Sequence, residues 1–223
     1  QNVLLGTASA QSLFETRMLF NPQMKSSYNF VPGIMGFIFI LVCAMMTSVS
    51  IVREKETGTM EVLLVSPVRP FKIIFAKTIP YFVISSAILA TILLLARYLL
   101  DVPMSSGILG ILAISFIYLL LSLSLGIFVS TIANTQMAAL LISAVVMMLP
   151  ILMLSGLLFP IENLPKFQVV SNIVPARWYI DAMRKMMIQG AGLMAVWKDC
   201  AILLGMAVLI IGISLKKFND RLE

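Results

Sequence analysis

Long uncharged apolar runs alternate with short polar knots along this chain, at a spacing that counts membrane crossings rather than soluble domains. About 20 apolar residues in a helix cross a hydrocarbon core roughly 30 Å thick. Gly33 to Val52 carries no charge and ends at Arg53-Glu54-Lys55-Glu56, which predicts a first span at 33–52. Thr78 to Ala96 is also uncharged, preceded by Lys72 and Lys77 and closed by Arg97 and Asp101, which predicts a second at 78–96. Pro80 falls near its start, where proline is tolerated. No charged residue occurs from Val102 to Ile161, too long a stretch for one crossing. The polar knot Asn134-Thr135-Gln136 is the natural reversal, giving spans at 107–133 and 137–159, and Pro150 inside the latter predicts a kink or a break. Cys200 to Leu215 is short, but Trp197 and Lys198 on one side and Lys216 and Lys217 on the other are the residues that anchor helix ends, predicting a fifth span at 198–215.

Composition agrees with that pattern. Apolar residues make up 60% of the chain and charged residues 12%, with a mean hydropathy of +1.02, whereas about a quarter of a soluble domain is charged. The expected fold is therefore an all-α membrane protein of about five transmembrane helices, with 223 residues leaving no room for a large soluble domain. The chain opens on Gln1 and a polar stretch without an initiator Met, so 1–30 reads as the end of a missing N-terminal, extracytoplasmic part and 31–223 as the transmembrane domain. The net charge of +6 forms no continuous basic stripe, which argues for anchors at the membrane surfaces and against nucleic acid. Five spans divide the Lys and Arg residues eight to eight, so the positive-inside rule is tied, and only the compact cluster from Arg53 to Lys77 tilts that side towards the cytoplasm.

Two connections carry more information than a loop requires. Between Gly58, which can end the first helix, and Pro67, a second stop signal, a short helix would put Met60, Leu63 and Leu64 on one apolar face with Glu61 away from it. Such a knob suits docking of a partner protein; an interfacial helix lying on lipid headgroups is the alternative. On the other side, in the external loop 160–197, Pro160, Pro165 and Pro175 cut the chain into short pieces ahead of a helix from Ala176 to Gln189. Arg177, Asp181 and Lys185, four apart, would form a charged stripe there, and Trp178, Ala182, Met183, Met186 and Met187 an apolar flank. That helix could rest on the outer leaflet.

The run REKETGTMEVLLVSPVRP at 53–70 resembles the signature that comes after the second membrane helix in permeases of the ABC-2 exporter family. Further matches stand in order at FNPQMKSSYNFVPG (20–33), LSGLLFPIENLP (154–165) and IVPARWYIDAMRKMMIQG (173–190), so the resemblance covers nearly the whole chain. It implies a six-helix permease, a homodimer or heterodimer with a second permease copy or paralogue, in the inner (cytoplasmic) membrane and driven by a separate cytoplasmic ABC ATPase. It also implies that Arg53, Glu54, Glu56, Gly58, Thr59, Met60, Glu61, Leu63, Leu64 and Pro67 couple to that ATPase. Pro160, Pro165, Pro175, Arg177, Trp178, Tyr179 and Asp181 would belong to a partly re-entrant hairpin gating the exit. The family's first helix and the extracytoplasmic domain behind it have no counterpart here.

Absences narrow the chemistry. No histidine occurs, no paired nucleophile and base is evident, and no Gly-x-x-x-x-Gly-Lys-Ser/Thr loop is present, so no catalytic, cofactor or metal residue is assigned and nucleotide is expected to bind the partner. Cys43 and Cys200 read as packing residues. No Asp, Glu or Lys falls in mid-span, which counts against an ion-gradient-driven transporter or channel, the alternative reading. Ser122 and Gly126, four apart, suit a close helix approach. Met137, Met147, Met148 and Met153 could line a soft path for apolar cargo, though such residues more often pack or face lipid. The expected cargo is hydrophobic or amphiphilic, a drug or a lipid-like molecule.

Overall fold

A computed structural model describes residues 27–59, 70–155 and 170–219. Helix α1 runs Ser27–Glu56, α2 Pro70–Tyr98, α3 Ile108–Ile132, α4 Gln136–Leu154, α5 Pro175–Met187 and α6 Trp197–Asn219, the last entered through a single 3-10 turn at Leu193–Val196. Five of these stretches are long and apolar enough to cross a membrane: Phe30–Glu56, Phe75–Tyr98, Ile108–Ile132, Gln136–Leu154 and Leu193–Lys217. No strand occurs among the described residues. This is an all-α membrane protein.

Helix α3 is the hub. It packs against α1, α2, α5 and α6, and Ile111, Ile114, Tyr118, Leu119 and Leu121 along it are fully buried. Its backbone comes close to α1 at Gly126, where an added Cβ would stand 2.7 Å from the Thr47 Cβ and 2.8 Å from the Ala44 carbonyl oxygen. Only the missing side chain permits that backbone contact, as the Ser122 and Gly126 spacing predicts. Ser122 itself donates to the Tyr118 carbonyl at 2.8 Å and so satisfies its hydroxyl within its own helix.

The reversal between α3 and α4 takes only Ala133 to Thr135, and the Thr135 side chain caps α4 by accepting from the Ala138 N–H at 3.2 Å. Helix α4 does not break at Pro150. Proline has no N–H for the preceding turn and its ring crowds the carbonyl four residues back. The helix meets this with a wider π turn at Ser143–Met147 and then resumes as α-helix over Met148–Leu154. The Ser143 hydroxyl lies 3.0 Å from that of Ser48, tying the start of the π turn to α1. Both cysteines are free, and the Cys43 thiol lies 3.0 Å from the Ser85 hydroxyl, a contact between α1 and α2.

Candidate functional site

The last turn of α1 holds three other helices with three successive residues. Glu54 forms a salt bridge with Lys77 of α2. Lys55 donates to the Ser130 carbonyl near the end of α3. The Glu56 carboxylate accepts from the Gln136 backbone N–H at 3.1 Å and from its side-chain amide at 2.9 Å, placing a negative charge on the N-terminus of α4. In a helix, side chains one residue apart point about 100° away from each other, so consecutive residues at its tip can reach separate neighbours.

Beyond this clamp the helix is closed by its own threonines. Thr57 donates from its N–H and its hydroxyl to the Arg53 carbonyl, at 3.0 and 2.9 Å. The Thr59 hydroxyl lies 3.0 Å from that of Thr57 and 3.3 Å from the Glu54 carbonyl that accepts from it. Gly58 takes φ +74°, a left-handed conformation that terminates the helix and that a side chain would strain. Arg53, Thr57, Gly58 and Thr59 are exposed. Met60, Glu61, Leu63, Leu64 and Pro67 lie outside the described residues.

At the opposite end, α5 is sunk into the bundle. Ala176, Tyr179, Ile180, Ala182, Met183, Met186 and Met187 are buried against α1, α3 and α6, where a helix resting on the leaflet would bury its apolar face in lipid. The Tyr179 ring stacks on Tyr118 of α3, centroids 4.1 Å apart and planes within 6°, and its hydroxyl lies 3.0 Å from that of Ser115. Tyr118 in turn donates to the Gly36 carbonyl of α1 at 2.8 Å, and Phe39 meets Tyr179 edge-on at 6.3 Å. Backbone bonds from Ser105 and Ser106 to the Met187 and Met186 carbonyls, at 3.3 and 3.2 Å, cover the C-terminal end of α5.

The charges around α5 have tertiary partners. Lys185 reaches the Asp199 carboxylate of α6 at 3.0 Å, Asp199 being 6% exposed. Arg177 donates to the Asn172 side chain at 2.7 Å, and its guanidinium stands 5.7 Å from the Trp178 ring centre. Trp178 is half-buried and donates from its indole N–H to the Asn172 carbonyl at 3.0 Å. Of the residues in the expected stripe, Arg177 thus reaches Asn172 and Lys185 reaches Asp199, while Asp181 is half-buried on the helix. Pro175 begins the helix at its first position, where its missing N–H costs nothing. Pro160 and Pro165 lie outside the described residues. The stacked tyrosines are the feature sequence reasoning missed.

Residues 4–216 match the family model described as ABC-2 family transporter protein. The chain belongs to the ABC-2 transporter family. This ABC-2 chain is 30% identical over 210 residues to the probable multidrug ABC transporter permease YbhS of Escherichia coli K12, covering 94% of this chain and 56% of that protein. It is 30% identical over 213 residues to the inner membrane transport permease YhhJ of the same strain, covering 92% and 55%. It is 29% identical over 204 residues to ABC transporter G family member 20 of Dictyostelium discoideum, covering 90% of this chain and 28% of that protein. The ABC-2 chain therefore spans about half the length of the bacterial relatives it matches. No solved structure matches it significantly.

Proposed function

We propose that this chain forms most of the membrane domain of an ABC exporter's permease subunit, which moves a hydrophobic or amphiphilic substrate, a drug or lipid-like molecule, outward across the cytoplasmic membrane. A separate ATPase subunit hydrolyses ATP, and a second permease copy or paralogue completes the pathway. The Glu56 end of the bundle faces the cytoplasm. One observation carries this reading beyond family membership: Glu54, Lys55 and Glu56 bind α2, α3 and α4 immediately before the segment that resembles the family's coupling loop. A push on the Met60 to Val65 segment reaches three helices through one turn. At the other end α5, with Arg177, Trp178, Tyr179 and Asp181, closes the exit by its packing against α1 and α3. The name of one relative, a probable multidrug permease, supports a drug as cargo.

The test is co-purification of the full-length protein with its ATPase from detergent, then vanadate-sensitive transport in vesicles. Leu64→Asp is expected to release the ATPase and abolish transport while membrane insertion stays intact. A folded permease that retains no ATPase, or flux that tracks an ion gradient and ignores vanadate, would refute the proposal.

A further inference from the structure

Near the Glu56 end, α2, α3 and α6 enclose a narrow crevice that the clamp does not use. Its floor is Leu123 and Ile127 of α3, and its walls are Phe75 of α2 and Ile211 and Leu215 of α6. Ser124 also lines it, but its hydroxyl donates to the Leu120 carbonyl at 2.7 Å. The cavity holds about 50 Å³, far below the several hundred Å³ of a drug-sized site. A slot of that size with an apolar lining takes a few methylenes of a hydrocarbon chain, the rest of which lies outside it.

The mouth of the crevice is basic. Lys72 precedes Phe75 by one turn on the same face of α2, and Lys216 comes directly after Leu215 on α6; both are exposed, whereas Lys217 lies about 200° around the helix from Leu215. Helix α2 contains no acidic residue, and the only one in α6 is Asp199, at the far end with Lys185. Glu54, the nearest acid at the tip of α1, is held by Lys77. Amine groups one helical turn or less beyond an apolar slot stand at headgroup depth when the slot lies at acyl depth.

We propose that this crevice is a site for one anionic phospholipid, its acyl chain lying against Leu123 and Ile127 and its phosphate held by Lys72 and Lys216. The site faces the leaflet on the Glu56 side. It depends on the chain spanning a membrane and not on export.

Native mass spectrometry of the full-length protein, titrated with phosphatidylglycerol or phosphatidylcholine, tests it. The wild type should bind its first phosphatidylglycerol at least tenfold more tightly than phosphatidylcholine. Replacing Lys72 and Lys216 with Gln should erode that preference by about fivefold per lysine. Arg97→Gln with Lys198→Gln, at the opposite surface, should leave it intact. Ile211→Trp, which fills the slot from its rim, should weaken first-site binding of both lipids in a protein that remains monodisperse. The proposal is overturned if the variant of Lys72 and Lys216 keeps its preference, if the opposite-surface variant loses it equally, or if inorganic phosphate competes as well as the lipid does.

Discussion

Gly126→Ala should separate α1 from α3. The added Cβ would lie 2.7 Å from the Thr47 Cβ, 2.8 Å from the Ala44 carbonyl oxygen and 3.1 Å from the Ala44 Cα. Two of those atoms are backbone, so no side-chain rotation relieves the contact and one helix must move against the other. Overpacking of this kind costs about 1–3 kcal/mol. A chain of this size loses about 2–4 °C of midpoint per kcal/mol, so a fall on the order of 5 °C is expected. Gly205→Ala and Gly212→Ala are the controls: both glycines are in α6, and an added Cβ at either meets nothing within 4 Å. Alanine is the better helix former by about 0.5–1 kcal/mol, so these variants should match or exceed the wild type. Thermal unfolding of the full-length protein in detergent, monitored by tryptophan fluorescence, reads all three. If Gly126→Ala melts with the two controls, the α1 and α3 backbones are not in contact at this position.

Glu56→Ala removes the one carboxylate oxygen that accepts both Gln136 bonds, so hydrogen exchange at the Gln136 amide should rise several-fold while amides within α3 keep their protection; unchanged exchange would mean the cap is not made in solution. Tyr179→Phe keeps the ring against Tyr118 and loses the Ser115 hydroxyl contact, and should cost about 1 kcal/mol against about 3–5 for Tyr179→Ala. Equal losses on thermal unfolding would show that the stack contributes nothing beyond the hydroxyl. Lys185→Met leaves the Asp199 carboxylate, 6% exposed, without its cation, and should lower the unfolding midpoint. Lys185→Met with Asp199→Leu should recover most of the loss, because the buried charge then leaves with its partner. A double variant less stable than the single one would contradict this.

Much of the helical order was legible because the bilayer imposes a coarse rule, that charge leaves the interior and backbone bonds close within each segment. The reversal at Asn134-Thr135-Gln136 and the close approach at Gly126 come from residue type alone. The partners of charged groups did not, because helical spacing sees only neighbours on the same helix. Four-residue intervals put Arg177, Asp181 and Lys185 on one side of the helix but carry no sign of Asn172, from the preceding turn, or of Asp199, from α6, as partners of Arg177 and Lys185. The Tyr118 and Tyr179 stack was illegible for a related reason: an aromatic in an apolar helix fits lipid, core or partner equally well, and its partner lies 61 positions on. Pro150 did signal an irregularity, but one missing N–H and one ring clash are cheap enough to be absorbed by a π turn upstream, so α4 continues.

The two ends of the bundle are joined by one element. Helix α1 has 30 residues, about 45 Å at 1.5 Å per residue. Along it lie the Gly36 carbonyl that Tyr118 binds, Phe39 against Tyr179, Ala44 against Gly126, Ser48 at the Ser143 hydroxyl, and then the Glu54 to Glu56 clamp. Each contact is made to a different helix or a different level, so displacement of the tip loads α2, α3 and α4 at one end and α3 and α5 at the other. The backbone contact at Ala44 and Gly126 has no side chain to deform and fixes the middle. On the proposed coupling, motion introduced beyond Gly58 would reach the stacked tyrosines through this packing, and a Gly126 variant should then alter hydrogen exchange in α5 without touching it.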